Sequence, residues 1–331
     1  LQISNFNSGL SIRYKISAPA NQFTTASGVT GGTAAANSAG TAGLNVLLHG
    51  DGGQSFFDFP NQEVQNNLMG VVVLAPNKNL FWGGGSGLQR TDGVAHAAAV
   101  NSLIQNQLSQ DVAFDPANVF FTGVSGGSLL LSGFFVPSFG ATYKTGVVLN
   151  CGALDPQVAV VDGANMIANM KIHFQSTSDE LALLQPAIPK AVSAYETLAT
   201  GAGLSATQIA ALQTVDNTPN GGGHCGFDGK GFVSGVQLMA TNFANIMGAN
   251  ATGQVTGIGN VLKVCHFSFD CDDLLSICRL WLGTKILYSL ALAKHRNERS
   301  VEVVWSNAFP RTECLEYKGL PFTQFQNYQT S

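Results

Sequence analysis

The sequence predicts an α/β fold, a mostly parallel central sheet with helices on both faces. Three observations predict it. Short runs that are apolar without alternation recur along the chain, as expected of strands buried on both faces. Between them lie stretches whose apolar residues recur about once per helical turn. Glycine clusters punctuate the passages from one kind of segment to the other. Strands alternating with helices fold into a sheet covered on both sides.

The elements follow in order. Ser11–Ser17 alternates polar and apolar residues, the pattern of an edge strand. Residues 26–43 are rich in Gly, Ala, Thr and Ser and read as a surface loop. Residues 44–48 and 71–75 are buried strands. Residues 92–108 suit a helix, with Val94, Ala98, Leu103, Ile104 and Leu108 as its apolar positions. A strand is expected at 119–122, a helix at 128–135 and a strand at 146–149. Strand Lys171–Gln175 precedes a helix at 187–198, a strand at 211–215 and a helix at 232–247.

The chain has 331 residues, long enough to bury a full core without help from disulfides or metal. A hydrophobic content of 45% excludes disorder, and 38 glycines without a Gly-X-Y period exclude a collagen-like chain. The net charge of −4 argues against binding to nucleic acid or an anionic membrane surface, both of which call for a basic face. Only 11% of residues are charged, the first residue is Leu1, and Asn250-Ala251-Thr252 forms a glycosylation acceptor. The start at Leu1 implies either a mature secreted product or a fragment, and the charge content and acceptor favour a secreted, extracellular protein. A monomer is expected.

Composition breaks near residues 257–260. Residues 1–260 hold 36 of the 38 glycines, whereas 261–331 hold two glycines and four of the six cysteines: Cys265, Cys271, Cys278 and Cys314. Residues 1–260 are read as the main domain, the one that carries the strand and helix pattern, and 261–331 as an atypical Cys-containing tail. Residues 274–293 are apolar, but Arg279 and Lys285 would each cost roughly 2.5–3.5 kcal/mol at a bilayer centre. An amphipathic helix is expected there. Val264-Cys265 could also be encoded by an intron start, so part of the tail is a candidate for translated intron. The tail cysteines and His266 lack the close paired spacing of a zinc site, and no metal is expected. Their pairing stays open, since six cysteines allow 15 connectivities.

Open sheets of this kind bind ligands beyond the carboxyl ends of their strands. Gly123-Val124-Ser125-Gly126-Gly127 lies there, between a strand and an apolar helix. A G-x-S-x-G turn needs glycine because the serine backbone is strained and its neighbours must leave room. Ser86, in another glycine cluster, lacks the strand-turn-helix context. Gly83–Gly87 lacks the Gly-Lys-Ser/Thr ending of a phosphate loop. His49-Gly50-Asp51-Gly52-Gly53 follows a second buried strand, where backbone N–H groups can face an oxyanion. The N–H of Asp51 is the expected donor, ahead of Gly52, with Gly126 N–H as its companion.

On these motifs the chain resembles the α/β-hydrolases over residues about 11–248. The closest similarity is to secreted serine esterases and polyester depolymerases with an HGxGG-type oxyanion loop and a G-x-S-x-G-G elbow. The resemblance implies the chain order nucleophile, acid, histidine, and no cofactor. Ser125 is then the nucleophile. Asp179, in the loop after strand Lys171–Gln175, matches the acid, with Glu180 as the fallback and Asp155 and Asp162 as lesser alternatives. His224, in Gly221-Gly222-Gly223-His224-Cys225-Gly226, matches the base. Asp216 lies too close before His224 to orient it. His49 is expected to hold the oxyanion loop, and His96, His173, His266 and His295 have no assigned role. Cys151 and Cys225 should meet at the same sheet edge in a disulfide that braces the histidine loop. Phe56, Phe57 and Phe59 are expected in the core, and Trp82 against the substrate. The activity implied is hydrolysis of a small-molecule or polymeric carboxylic ester. A peptidase on the same scaffold and a non-catalytic extracellular binder are the alternatives.

Overall fold

A computed structural model of the chain describes residues 2–5, 10–56, 66–259, 263–267, 290–295 and 298–305. It divides into two units, Leu1–Gly259 and Asn260–Ser331.

The first unit is built on an eight-stranded sheet. In chain order the strands are β1 (Gln2–Asn5), β2 (Ser11–Ser17), β3 (Gly43–Leu48), β4 (Leu68–Leu74), β5 (Val119–Val124), β6 (Gly146–Asn150), β7 (Lys171–Gln175) and β8 (Gln213–Asp216). Their spatial order is β1-β2-β4-β3-β5-β6-β7-β8. β1, β2 and β4 pair antiparallel; from β4 to β8 every pairing is parallel. β2 alternates buried and exposed positions at its start, as its sequence requires, yet it is not an edge. It lies between β1 and β4.

The helices are α1 (Gly93–Ser102), α2 (Leu108–Asp111), α3 (Gly126–Leu130), α4 (Val136–Tyr143), α5 (Gly163–Asn169), α6 (Leu184–Gly201), α7 (Ala206–Leu212), α8 (Phe232–Thr241) and α9 (Phe243–Met247). A π-helical turn at Leu103–Gln107 joins α1 to α2, and another at Leu131–Phe135 joins α3 to α4. The sequence reading missed α5 and α7. The strand expected at 211–215 is present from Gln213 as β8, while Ala211 and Leu212 close α7 behind a Ser205–Gln208 capping box. The single helix expected at 232–247 breaks at Asn242. Its side chain bonds Leu238 and Thr256 instead of pointing away from the helix.

The sheet separates two apolar cores. Leu44, Val46, Val71, Val73, Phe121 and Leu149 face one, with α1, α3 and α6. Leu47, Val72, Val124 and Val148 face the other, with Phe227, Val236, Met239 and Phe243 from the α8 side. Two-sided burial explains why β3 to β6 read as unbroken apolar runs. It also places the chemistry, because β3, β5, β6, β7 and β8 all deliver their connecting loops at one carboxyl edge.

In the second unit β9 (Lys263–Phe267), β10 (Leu290–His295) and β11 (Glu298–Trp305) form an antiparallel sheet of order β10-β11-β9. Of the helix expected at 274–293, residues 274–289 lie outside the described residues, and residues from Leu290 onward form β10. Phe57 and Phe59 also lie outside them. Among the described residues no helix is long and apolar enough to cross a membrane.

Candidate active site

Ser125 is the one residue between β5 and α3, with φ 48° and ψ −111°, a backbone state that costs an L-residue on the order of 1–3 kcal/mol. The surroundings hold it there. Ser125 N–H donates to Asn150 O (2.8 Å), and Ser125 O accepts from Leu129 N–H (3.0 Å). The flanking glycines are obligatory. A Cβ on Gly123 would lie 2.6 Å from Ser128 N, and one on Gly127 would collide with the carbonyls of Leu48 and His49.

His224 Nε2 is 3.0 Å from Ser125 Oγ, and His224 Nδ1 is 2.6 Å from Glu180 Oε2. Serine, imidazole and carboxylate thus form one relay at the sheet edge, with the Glu180 side chain 3% exposed and that of His224 20% exposed. Thr177 donates to the other oxygen of Glu180 from both its N–H and its Oγ1 (3.3 and 3.4 Å).

The expected acid, Asp179, is not part of this relay. Its side chain turns to the surface, where Oδ2 accepts from Gly221 N–H (2.7 Å). After β7 the chain turns through Ser178, so adjacent side chains diverge. The inward one belongs to Glu180, whose extra methylene reaches His224. Asp179 instead pins the start of the histidine loop, while the single Thr177 hydroxyl proton lies between Glu180 Oε1 and Gly223 O (3.2 Å) and is shared by them. Asp155 pairs with Lys190, Asp162 bonds Asn165 and Asp216 bonds Thr218, so none of these alternatives serves His224.

Cys151 and Cys225 form a disulfide, with Cα atoms 5.1 Å apart. Both have positive φ (46° and 61°) and both are fully buried. Cys151 follows β6 and Cys225 follows His224, so the bond ties the histidine loop to the strand beside β5. Among the described residues Cys151, His224 and Cys225 are the one group of potential metal donors, with ligand atoms within 4.8 Å, and the two sulfurs are already bonded to each other.

The 49–53 loop lies over the serine. An added Cβ on Gly50 would sit 3.5 Å from both Ser125 Cβ and a Phe232 ring carbon. Asp51 opens a short 3₁₀ turn and Gly126 opens α3, positions whose N–H groups have no acceptor within their own helix. Gly52 N–H is committed to Leu80 O (3.0 Å), which removes it as a donor to a ligand. His49 is fully buried and braces the loop. Its Nε2 accepts from Ala75 N–H (2.9 Å), so its Nδ1–H donates to Gly50 O (2.6 Å). Burial lowers its pKa to about 4, which keeps the ring neutral. His96 accepts from Gly83 N–H (2.8 Å), and burial lowers its pKa too.

Trp82 does not line the cleft. It is fully buried, 5.4 Å from His49 and 6.1 Å from His96 between ring centroids. The aromatic beside the relay is Phe232, part-exposed and 6.1 Å from the His224 ring. It opens α8, directly after the histidine loop, a place the sequence reading assigned only to helix. Phe56 is buried, with Lys15 Nζ 4.9 Å over its ring. A cavity of about 340 Å³ beyond β7 and α6 is lined by Glu180, Leu184, Ile188 and Val215 but by neither Ser125 nor His224. Asn250 is exposed in a turn after α9.

The strand order, with a serine on the sharp turn after β5, gives the chain the α/β-hydrolase fold. No protein-family model and no curated protein matches the sequence. Among solved structures, a thermostable esterase is similar at 16% identity over 60% of this chain, with a TM-score of 0.41. The present chain spans about half of that protein, 51%. The Bacillus cereus carboxylesterase is 14% identical over 64% of this chain and 86% of its own (TM-score 0.42). A phospholipase/carboxylesterase from Dyadobacter fermentans DSM 18053 is 15% identical over 70% and 96% (TM-score 0.43).

Proposed function

We propose that the chain is a serine hydrolase of carboxylic esters, acting through Ser125, His224 and Glu180. The observation that carries this reading is the unbroken relay from Ser125 Oγ through the imidazole to a buried carboxylate. A serine hydroxyl is a weak nucleophile until a neighbouring base takes its proton. His224 Nε2 is placed to do so, and Glu180 at Nδ1 holds the tautomer that leaves Nε2 free and stabilises the imidazolium. Attack on the ester carbonyl forms a C–O bond and an oxyanion, which the N–H groups of Asp51 and Gly126 would receive. His224 then protonates the departing alkoxide, leaving an acyl-enzyme. Water, deprotonated by His224, cleaves that ester and returns Ser125.

We further propose an oxidising, extracellular compartment for the protein; the Cys151–Cys225 disulfide supports this, since such bonds persist there. Asn250 would be its glycosylation site, and a monomer would suffice, since the relay is complete within one chain. A fluorophosphonate probe tests the proposal. Labelling at Ser125, with turnover of simple esters that is lost in Ser125→Ala, is the expected result. Absence of labelling in the folded wild type, or full activity in Ser125→Ala, would overturn it.

A further inference from the structure

Asp51 is held from outside the loop it belongs to. Arg90, whose side chain is 2% exposed, grips its carboxylate with two parallel bonds, Nη1 to Oδ1 (2.9 Å) and Nη2 to Oδ2 (2.7 Å). The same two nitrogens also donate to Trp82 O (2.9 Å) and Gly87 O (2.7 Å), so the guanidinium is locked in plane by three separate segments. Arg90 Nε is buried without a partner, a cost set against the four bonds that the two Nη atoms make. The Asp51 carboxylate also packs against Gly126, where an added Cβ would collide with Oδ1, the oxygen that Arg90 Nη1 binds. Arg90, Asp51 and Gly126 therefore form a single stack from the buried Trp82 layer to the turn that carries Ser125.

We propose that Arg90 is a positioning residue for the oxyanion pocket, acting through the Asp51 carboxylate. This rests on the ester-hydrolase reading of the site. Two physical effects follow from the stack. A planar two-bond grip fixes the orientation of Asp51, and with it the direction of the backbone N–H at the start of the turn. The second effect is electrostatic. A carboxylate lying against Gly126 would repel negative charge developing on the substrate carbonyl oxygen. The guanidinium cancels that field while leaving the N–H dipoles to act. A pocket assembled to receive an oxyanion thus contains a fixed anion that must be neutralised, and the buried Arg90 guanidinium beside the part-exposed Asp51 carboxylate supplies the neutralising charge.

The test uses the full chain, with steady-state kinetics on one activated ester and circular dichroism to verify folding. In Arg90→Met, kcat should fall about 30-fold while KM stays within about threefold, the signature of a loss confined to the transition state. Removing the uncompensated charge as well, in Arg90→Met/Asp51→Asn, should recover about fivefold in kcat, because the Asp51 N–H remains. A merely structural Arg90 predicts no such recovery, because with both variants fully folded a change that acts on stability alone leaves kcat where Arg90→Met put it. Where Arg90→Met does not fold, Arg90→Lys serves, keeping the charge but not the fork; kcat should drop about fivefold at constant KM. Unchanged kcat in a folded Arg90 variant, or no gain in the double variant, overturns the proposal. Wild-type turnover and labelling at Ser125 are measured alongside, so a failure of the hydrolase reading would show separately.

Discussion

Glu180 Oε2 lies 2.6 Å from His224 Nδ1, while the carboxylate of the preceding residue, Asp179, turns away to bind Gly221 N–H. Two adjacent acids thus serve the same loop in different ways, one at the ring and one at the backbone. Glu180→Gln should lower kcat by about 10³–10⁴-fold, because an amide cannot hold the required tautomer or stabilise the imidazolium. Asp179→Asn should cost less than about tenfold, since an amide oxygen still accepts from Gly221 N–H. Initial-rate kinetics on the two variants separate the roles, and a larger loss in Asp179→Asn would reverse them.

The disulfide offers a second test. Its two half-cystines are 74 residues apart and fully buried. Cys151→Ser/Cys225→Ser should lose about 2–4 kcal/mol of stability, a fall in Tm of roughly 4–12 °C. Because the bond abuts His224, kcat should fall further than stability alone requires, even at temperatures where the variant is fully folded. Calorimetry together with kinetics at 15 °C checks both parts, and an unchanged Tm would contradict the first.

Phe232 stands where Trp82 was expected. Phe232→Ala should raise KM for aryl or long-chain esters by about 3–10-fold, the value of one aromatic contact. It should leave kcat for a short acetyl ester nearly unchanged. Comparing an ester series in the two proteins decides it; a uniform loss across the series would place Phe232 away from the substrate.

His49 makes stability pH-dependent. Its pKa is about 4 in the folded chain against 6.5 unfolded, so below pH 6.5 the unfolded state takes up the proton first. The stabilisation from keeping this ring neutral is complete above pH 6.5 and is lost as the pH falls towards and through about 4. The total is about 3 kcal/mol, with His96 and His173 acting in the same direction. Thermal unfolding between pH 7.5 and 4.5 should show the decline, and His49→Gln should flatten it. An equal slope in the variant would assign the effect elsewhere.

How far the primary structure reached is clearest at particular residues. Local patterns sufficed for β3 to β7 and for the glycine-flanked turn at Ser125. Burial on both faces and a strained backbone each leave their mark within a few neighbouring residues. They sufficed less well for α7, whose short apolar stretch resembles a strand until the capping box at Ser205 is recognised. The choice between Asp179 and Glu180 had no local signature, because which of two consecutive side chains points inward depends on the turn after β7. Trp82 was misplaced for a related reason: an aromatic beside glycines can face the cleft or the core, and packing against His49 and His96 selected the core. Arg90 carried no signal at all, being one cation among several until the fold laid Trp82 O, Gly87 O and Asp51 around it. The chain order of serine, acid and histidine came with the resemblance that the Ser125 turn and the 49–53 loop carry, and the segment after β7 and the Gly221–Gly226 loop were where that order put the acid and the histidine. The acid that touches the imidazole, and the cation behind the 49–53 loop, were decided by tertiary packing, because only packing brings together groups whose separation along the chain says nothing of their distance.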